Sequence, residues 1–248
     1  KVRRRMGEGP NDEGLSRRHI VRQVEDSLKR LRTDRVEVYF VHHVDPATPV
    51  EETLRALDDL VRAGKILHPA VSNWAAWQIA KALGVSALHG WARFACMQPM
   101  YNLVKRQAEV EILPLALSEG LGVIPYSPLG GGLLSGKYAP GRKPKHGRLV
   151  NNKMYDKRFS APWYYEAAAK LAEHARRRGV HPATLAVAWV MSHPAVTAPI
   201  IGARDVAQLL PSLRAAELPL TPAERLQLSR LTPQPPPATD RLEEQAPA

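Results

Sequence analysis

Short apolar runs rich in β-branched residues alternate along this chain with longer stretches of helical periodicity. The predicted strands are residues 36–41, 67–71, 94–97, 122–125 and 197–201. Nearly continuous apolar runs are typical of parallel strands that helices cover on both faces. The sequence therefore predicts an α/β fold built from right-handed strand–helix–strand units around a parallel sheet.

Helix start and stop signals punctuate the stretches between the strands. Ser16 precedes an amphipathic stretch and is predicted to cap it. The pattern Thr-Pro-x-Glu begins at Thr48 and again at Thr221, and predicts a capping box at each position. Further helices are predicted over residues 105–118, 162–178, 182–191 and 205–215. The last of these contains Pro211, which we expect to interrupt it.

Two topologies satisfy this alternation, an open doubly wound sheet and a closed (β/α)8 barrel. No Gly-x-Gly-x-x-Gly sequence follows the first predicted strand, which argues against a dinucleotide-binding open sheet. Polar residues cluster where the predicted strands end, at His42, Ser72, Asn73, Gln98 and Tyr126. Barrel enzymes place their active sites at that end of the strands, so the pattern favours the barrel.

Composition excludes several classes of protein. Hydrophobic residues make up 44% of the 248 residues and recur regularly, so most of the chain is not intrinsically disordered. No apolar run approaches the length that spans a bilayer, and the basic start at Lys1 is not followed by the apolar segment of a signal peptide. Cys96 is the only cysteine, which suits a reducing cytoplasm. The net charge of +11 leaves nucleic-acid binding as a minor alternative, because the arginines are scattered among acids.

The histidine pair after the first strand is the first candidate for chemistry. Because side chains alternate across a strand, His42 and His43 are expected on opposite faces, and no shared metal site is predicted. A histidine at a strand end is also commonly a structural residue.

Amide- and ring-binding groups follow the later strands. The Ser72 hydroxyl and the Asn73 carboxamide follow the second strand, and Gln98 ends the third. Such groups bind an amide through paired hydrogen bonds, although Ser-Asn is also an ordinary turn sequence. The aromatic face of Tyr126 is suited to stacking on a flat heterocycle.

Together with their neighbours, these residues resemble the aldo-keto reductases, and among them the bacterial branch that also resembles potassium-channel β subunits. The matching segments occur in the family's order, at residues 14–17, 34–45, 51–57, 71–74, 98–103, 124–129, 136–138 and 201–204. The resemblance implies a (β/α)8 TIM barrel over residues 1–231. It also implies an oxidoreductase that uses NADP(H) to reduce aldehyde or ketone carbonyls of small molecules to alcohols, without a nucleic-acid or membrane partner.

The resemblance assigns roles to individual residues. It implies that His42 orients the substrate carbonyl, that Lys1 is the family's catalytic lysine, and that Trp74 lines the substrate pocket. It implies cofactor contacts by Ser72, Asn73, Gln98, Tyr126, Ser127, Leu129, Gly202, Ala203, Arg204 and Gln208. Arg204 is expected to bind a 2′-phosphate, because a guanidinium can donate two parallel hydrogen bonds to phosphate oxygens. Residues 129–160 are expected to form a mobile loop that covers the cofactor, and 232–248 a disordered tail rich in Pro, Ala and Glu.

The family's other two catalytic groups, an aspartate and a proton-donating tyrosine, precede the lysine. They have no counterpart in the residues printed here. The expectation is therefore a truncated barrel that lacks the first two βα units, and a reductase that is crippled as the chain stands. Reduction leaves an alkoxide that a general acid must protonate. The alternative is a non-catalytic NADP(H)-binding protein that regulates or binds a partner.

Overall fold

The computed structural model describes residues 1–239 and residue 241. The chain divides into two compact units. The first unit comprises Lys1–Pro99 and Leu115–Val123, and the second comprises Met100–Pro114 and Ile124–Ala248.

Four strands and ten α-helices are described in residues 1–239. The strands are β1 (Val36–Val41), β2 (Ile66–Ser72), β3 (Cys96–Gln98) and β4 (Gly122–Val123). The helices are α1 (Arg17–Leu31), α2 (Val50–Arg62), α3 (Ala76–His89), α4 (Ile112–Glu119), α5 (Arg148–Asn151), α6 (Lys153–Arg158), α7 (Pro162–Arg177), α8 (Pro182–Met191), α9 (Val206–Leu213) and α10 (Pro222–Ser229). Short 3-10 helices occupy Gln107–Glu109, Gly130–Ser135 and Arg214–Glu217.

The first unit contains a parallel sheet in which each strand pairs with the next strand along the chain. Its order is β1-β2-β3-β4, and all three pairings are parallel. Val2 adds a parallel bridge to Val41 at the other edge of β1. The predicted α/β class with a parallel sheet is confirmed. Consecutive strand order is that of a barrel wall, whereas a doubly wound sheet reverses its order partway.

The predicted strand at 197–201 is wrong, since the structure gives that segment one bridge and no strand. Ile200 bridges Tyr126 and donates its N–H to the Pro125 carbonyl at 2.8 Å. Pro199, the residue before it, has no N–H to donate, so a longer ladder is disfavoured there.

The two Thr-Pro-x-Glu patterns fold differently. At Thr221 the predicted capping box is confirmed, because Thr221 accepts from the Glu224 N–H and Glu224 accepts from the Thr221 N–H. At Thr48 the prediction is wrong. The Thr48 hydroxyl donates instead to the Asp45 carboxylate at 2.7 Å, and α2 begins without a side-chain cap. A stronger acceptor nearby, Asp45, therefore redirects the hydroxyl.

Several other helices begin or end at different residues from those that the sequence predicts. Ser16 caps α1 as predicted. The helix predicted over 105–118 is split into a 3-10 turn and α4. Helix α9 continues through Pro211, contrary to the expected interruption, because the proline lies in its last turn and removes one donor only. Helix α3 is not predicted by the sequence pattern, because Ala75 at its N-cap position offers no capping side chain; the Gln78 side chain accepts the Ala75 N–H instead.

The segment 129–160 was expected to be irregular and mobile, but it contains the 3-10 helix at Gly130–Ser135 together with α5 and α6. Leu133, Leu134, Tyr138, Leu149 and Phe159 are fully buried in it. These apolar side chains anchor the segment, and its covering of a cofactor stays a prediction.

The predicted disordered tail at 232–248 begins with a buried residue, Thr232, whose hydroxyl accepts a hydrogen bond from Arg106. Residues 240 and 242–248 lie outside the described part of the chain. Within the described part, no helix combines the length and apolar character needed to cross a membrane.

Each unit has its own apolar core. In the first unit, helices α1 and α2 bury Ile20, Val24, Leu54 and Leu57. In the second unit, helices α7 and α8 bury Leu171, Leu185 and Trp189.

Candidate active site

The carboxyl ends of the strands in the first unit bring most of its predicted site residues together. Ser72 ends β2 opposite Gln98, the last residue of β3. Lys1 precedes Val2, which bridges Val41, and His42 follows β1 directly. The strand register therefore places these predicted catalytic and nicotinamide-binding residues at one edge of the sheet.

A chain of hydrogen bonds links their side chains. Asn73 donates its amide Nδ2 to the Ser72 hydroxyl at 2.9 Å and to the His42 carbonyl at 3.0 Å. The Ser72 hydroxyl donates in turn to the Gln98 carbonyl at 2.8 Å. Lys1 donates its ammonium to Oε1 of the Gln98 side chain. Ser72 and Gln98 are buried, so their polar groups are fixed by these partners.

Asn73 has a left-handed backbone, with φ of 57°. Asparagine adopts this conformation more readily than most residues with a Cβ, and this preference explains why an asparagine suits the position directly after β2. The turn carries the Asn73 amide back toward the end of β1.

His42 is held neutral in the folded protein. Burial, followed by the positive charges of His43, Lys1 and Arg4, lowers the pKa of His42 to about 4. A neutral imidazole at pH 7 has one N–H to donate and one nitrogen to accept, which is the form that can orient a carbonyl oxygen.

The expected separation of His42 and His43 is wrong. Their ring centroids are 4.6 Å apart with an interplanar angle of 34°. Strand β1 ends at Val41, so the alternation of side chains across a strand no longer applies to the pair. The two rings do not make a metal site by themselves, and residues 1–239 contain no group of three or more ligands that could hold a metal ion.

Lys1 lies over the Phe40 ring, with its Nζ 5.1 Å from the ring centroid. Burial lowers the pKa of the Lys1 side chain. A cation of lowered pKa next to the neutral His42 would stabilise negative charge that develops on an oxygen nearby.

Asp45 is a residue of this site that the sequence motifs do not assign. Its carboxylate accepts the N–H of Leu15 at 2.7 Å, the hydroxyl of Thr48 at 2.7 Å and the N–H of Ala47 at 3.1 Å. These bonds tie the loop after His42 to the segment before α1. Its one sequence signal is its place in a short polar loop after a strand end.

Trp74 follows Asn73, but the residue is only 7% exposed. It packs edge-on against Phe94, with centroids 5.7 Å apart. This packing accounts for its burial, and a contact between Trp74 and substrate stays a prediction.

The second unit contains the remaining predicted cofactor residues. Tyr126 bridges both Met100 and Ile200, and burial raises the pKa of its phenol. Ser127 has a left-handed backbone with φ of 58°. The fully buried Asn102 donates its amide to the Ser127 carbonyl at 2.9 Å and accepts from the Val104 N–H at 3.1 Å. Asn102 thus holds the Ser127 backbone in its uncommon conformation.

Leu129 packs against the buried Val187 and Ala188 of α8. Its side chain therefore lies in this cluster, and a contact between Leu129 and a cofactor stays a prediction.

The residues predicted for the adenosine end are exposed. Gly202, Ala203 and Arg204 precede α9, and Gln208 lies in its first turn. Gln208 donates its side-chain amide to Asp205 at 2.9 Å. Burial, followed by the positive charge of Arg204, lowers the pKa of Lys137. Binding of a 2′-phosphate by Arg204 stays a prediction.

Comparison with known proteins identifies the family. The model of the Aldo/keto reductase family matches residues 1–231, so the chain belongs to the aldo/keto reductases. Members of this family are expected to form (β/α)8 barrels that act as oxidoreductases.

Three curated relatives illustrate the range of the family. The "Uncharacterized oxidoreductase YrpG" of Bacillus subtilis is 38% identical over 218 residues, which cover 86% of this chain and 64% of that protein. The "Probable voltage-gated potassium channel subunit beta" of rice, Oryza sativa, is 40% identical over 86% of this chain and 66% of that protein. The mouse "Aflatoxin B1 aldehyde reductase member 2" is 37% identical over 81% of this chain and 59% of that protein. The chain therefore spans less than two thirds of the length of these relatives.

Proposed function

We propose that the chain binds NADP(H) and belongs to an enzyme that reduces aldehyde or ketone carbonyls to alcohols. The observation that carries the proposal is the hydrogen-bonded cluster of Ser72, Asn73 and Gln98 beside His42. Two carboxamides and a hydroxyl, fixed at adjacent strand ends, match the amide of a nicotinamide in both donors and acceptors. Relatives named oxidoreductase and aldehyde reductase support the same class of reaction.

The residues present fit an NADP(H) cofactor. Ser72, Asn73 and Gln98 would hold the nicotinamide amide, and Tyr126 would stack on its ring. The backbone near Ser127 and Leu129 would lie along the pyrophosphate, with Gly202, Ala203, Arg204 and Gln208 at the adenosine end. When bound, the cofactor supplies the hydride.

This chain's own residues would prepare the carbonyl. The neutral imidazole of His42 would donate a hydrogen bond to the carbonyl oxygen and orient it. The Lys1 ammonium would stabilise the charge that grows on that oxygen. Its bond to Gln98 links the predicted substrate and nicotinamide sites.

The alkoxide that follows reduction must take up a proton. The family resemblance assigns that step to a tyrosine, supported by an aspartate, in two βα units that would come before Lys1. Because the printed residues supply neither group at a matching position, we propose that these residues alone bind the cofactor better than they turn over a substrate.

The test compares two proteins, the chain as printed and the same chain extended through the upstream reading frame. NADPH is titrated by quenching of tryptophan fluorescence, and turnover is followed with 4-nitrobenzaldehyde at 340 nm. The proposal expects both proteins to bind NADPH and the extended one to turn over. Absence of NADPH binding in both would overturn it.

Two variants sharpen the cofactor assignment. Gln98→Ala should weaken binding of both NADPH and NADH, because it removes an amide contact. Arg204→Ala should weaken NADPH about tenfold and leave NADH unchanged, since a charge-assisted phosphate contact is lost. Arg214→Ala, at another exposed arginine of the same unit, is the matched control. Equal loss of NADPH and NADH in Arg204→Ala would contradict a 2′-phosphate contact.

A second candidate function rests on the relative named as a potassium channel subunit beta. In that case the chain binds NADP(H) and regulates a partner protein without turnover. NADPH binding with no reduction of any aldehyde by the extended protein would favour this candidate.

A further inference from the structure

Much of the chain's positive charge lies in one short stretch of the second unit. Residues 142–158 contain seven lysines or arginines and one acid, Asp156, so the stretch supplies more than half of the net charge of +11. We infer that this stretch binds the surface of an anionic lipid bilayer. The contact is peripheral, needs no helix that crosses the membrane, and does not depend on the proposed function. We call the seven cations the basic patch: Arg142, Lys143, Lys145, Arg148, Lys153, Lys157 and Arg158.

Direct contacts join the parts of the basic patch into one surface. Lys143, in the turn before α5, donates its ammonium to the Asp156 carboxylate of α6 at 3.3 Å. The guanidinium groups of Arg148 in α5 and Arg158 in α6 lie over the same ring, that of Tyr155, at 5.1 Å and 5.2 Å from its centroid. These contacts hold the turn and the two short helices together, so their cations share one surface.

The backbone beneath the basic patch is anchored to the second unit. Leu149 of α5 and Phe159, the residue after α6, are fully buried. The Asn152 side chain accepts the N–H of Met154 at 3.1 Å and that of Tyr155 at 3.2 Å, and thereby caps α6. The cations are therefore carried on folded backbone, which reduces the loss of freedom when the patch binds a partner.

Most of the positive charge of the patch is not balanced by acids. Lys143 pairs with Asp156, and within the part of the chain that the structure describes no other cation of the patch forms an ion pair. The other run of arginines in the same unit differs, since Arg176 and Arg177 both pair with Glu173, at 2.7 Å and 2.9 Å. The charge of the basic patch is therefore available to the anionic groups of a partner.

The type of cation favours lipid headgroups over nucleic acid. Four of the chain's 11 lysines occur in these 17 residues, although the whole chain has more than twice as many arginines as lysines. Lysine carries a compact, hydrated charge on a flexible stem, whereas the planar guanidinium of arginine is preferred for bidentate recognition of nucleic acid. Clustered basic residues of this kind on a surface helix are typical of segments that bind anionic lipids.

Apolar side chains are exposed among the cations. Val150 of α5 is 44% exposed and Met154 of α6 is 52% exposed. Arg158 lies next to this methionine, with its Nη2 3.9 Å from the Met154 sulfur. A bilayer surface accepts both kinds of group, because its anionic headgroups lie directly above an apolar layer. The phosphates of a nucleic acid have no such layer beneath them.

A cavity of about 580 Å³ extends this mixed character to the side of the patch. Its lining includes two cations of the patch, one exposed acid and three apolar or aromatic residues: Arg142, Lys143, Glu166, Pro140, Pro162 and Tyr165. Glu166 lies outside residues 142–158 and offsets only one of the positive charges. The cavity therefore offers apolar surface beside the cations, as a headgroup and its glycerol ester require.

The experiment measures sedimentation of the extended chain with vesicles of two compositions. One set contains phosphatidylcholine alone, and the other contains phosphatidylcholine with about 30% phosphatidylserine. At low salt we expect the affinity for the serine-containing vesicles to be about tenfold higher or more. The preference should disappear in about 0.5 M NaCl, because salt screens exposed charges.

Variants locate the binding surface. Lys153→Gln combined with Lys157→Gln should weaken binding to the anionic vesicles by about tenfold or more, since each lysine near such a surface contributes roughly fivefold. Arg176→Gln combined with Arg177→Gln removes the same charge from a paired cluster and should change binding by about twofold at most. Met154→Ser should weaken binding a few-fold without altering its dependence on salt. All five side chains belong to exposed residues, so the core is not disturbed.

Four results would overturn the inference. The first is equal binding to both kinds of vesicle, and the second is equal loss in the two double variants, since net charge alone would then be responsible. The third is abolition of vesicle binding by saturating NADPH, which would assign the cations to the phosphates of the cofactor. The fourth is tighter binding to duplex DNA than to anionic vesicles at the same phosphate concentration. None of these results would overturn the proposed function, which is tested by NADPH binding itself.

Discussion

The two units present their predicted cofactor residues in opposite ways. In the first unit, Ser72 and Gln98 are buried at the ends of hydrogen-bonded strands and fixed by neighbouring polar groups. In the second unit, Gly202, Ala203 and Arg204 lie exposed in a segment without regular structure. A site built on strands is positioned before the ligand binds, whereas a site on a loop is ordered by the ligand it meets.

The two units also differ in how they bury charge. In the second unit, Glu109 accepts hydrogen bonds from Tyr101 and Arg106, and Arg225 donates to Tyr101. Arg225 also lies over the Trp189 ring, with its guanidinium 4.6 Å from the ring centroid. In the first unit the side chains that face inward from α1 and α2 are mainly aliphatic, and the buried Asp58 of α2 forms an ion pair with Arg62, whose side chain is exposed. The acid of the second unit, Glu109, therefore interacts with two largely buried arginines, whereas Asp58 forms its ion pair with an exposed one.

The largest expected loss of stability comes from disrupting the network around Glu109. Glu109→Ala leaves Arg106 and Arg225 without their acid, and should lower the free energy of unfolding by about 3–5 kcal/mol. Urea unfolding followed by tryptophan fluorescence measures the loss. Glu111→Ala, at an exposed glutamate two residues away, is the control and should change little.

The same network predicts how the stability of the protein changes with pH. Burial alone would raise the pKa of Glu109, but the hydrogen bonds from Arg106 and Tyr101 outweigh it and hold this pKa below its usual range. Its stabilising contribution is therefore complete above the pKa of an unfolded glutamate and disappears as the pH falls through the lower, folded value. The difference in stability between the natural chain and Glu109→Ala should shrink in acid; a constant difference would contradict the network.

In the first unit, Asp45→Ala should cost about 1–3 kcal/mol, because three donors lose their acceptor. Asp34→Ala is the control, since Asp34 is exposed and has no hydrogen bond through its side chain within residues 1–239. Equal effects of the two substitutions in urea unfolding would show that Asp45 does not anchor the loop after His42.

A smaller effect is expected on the cofactor side of the second unit. Asn102→Ala removes the donor that holds Ser127, and should raise the dissociation constant for NADPH about tenfold. Gln107→Ala, at an exposed residue nearby, should leave the constant unchanged. The prediction fails if Asn102→Ala lowers thermal stability without any change in NADPH affinity.

The smallest effect separates the two Thr-Pro-x-Glu patterns. Glu224→Ala breaks the capping box of α10 and should cost about 0.5–1 kcal/mol. Glu51→Ala should stay within about 0.5 kcal/mol, since α2 has no such box. Thermal unfolding of the two variants side by side tests whether the same four-residue pattern has different roles in the two units.

Much of the fold followed from local signals. Apolar runs predicted β1 to β4 to within a few residues, and cap residues predicted the start of α1 and α10, because strand periodicity and capping depend on neighbours a few positions away. The strand ends also identified Ser72, Asn73 and Gln98 as candidates, since parallel strands bring their carboxyl ends to one edge. The missed helix α3 lacked a capping side chain, and the wrong strand at 197–201 lacked a partner beyond one bridge.

The sequence by itself determined the parallel α/β class, the family and the types of residue at the strand ends, since these depend on short-range pattern and matched motifs. Only the tertiary structure decided which groups meet. The bond from Leu15 to Asp45 spans 30 residues and that from Lys1 to Gln98 spans 97, and no local pattern encodes either. Partners that lie far apart in the chain are chosen by packing, which is why the anchoring role of Asp45 and the contact of His42 with His43 emerged only in three dimensions.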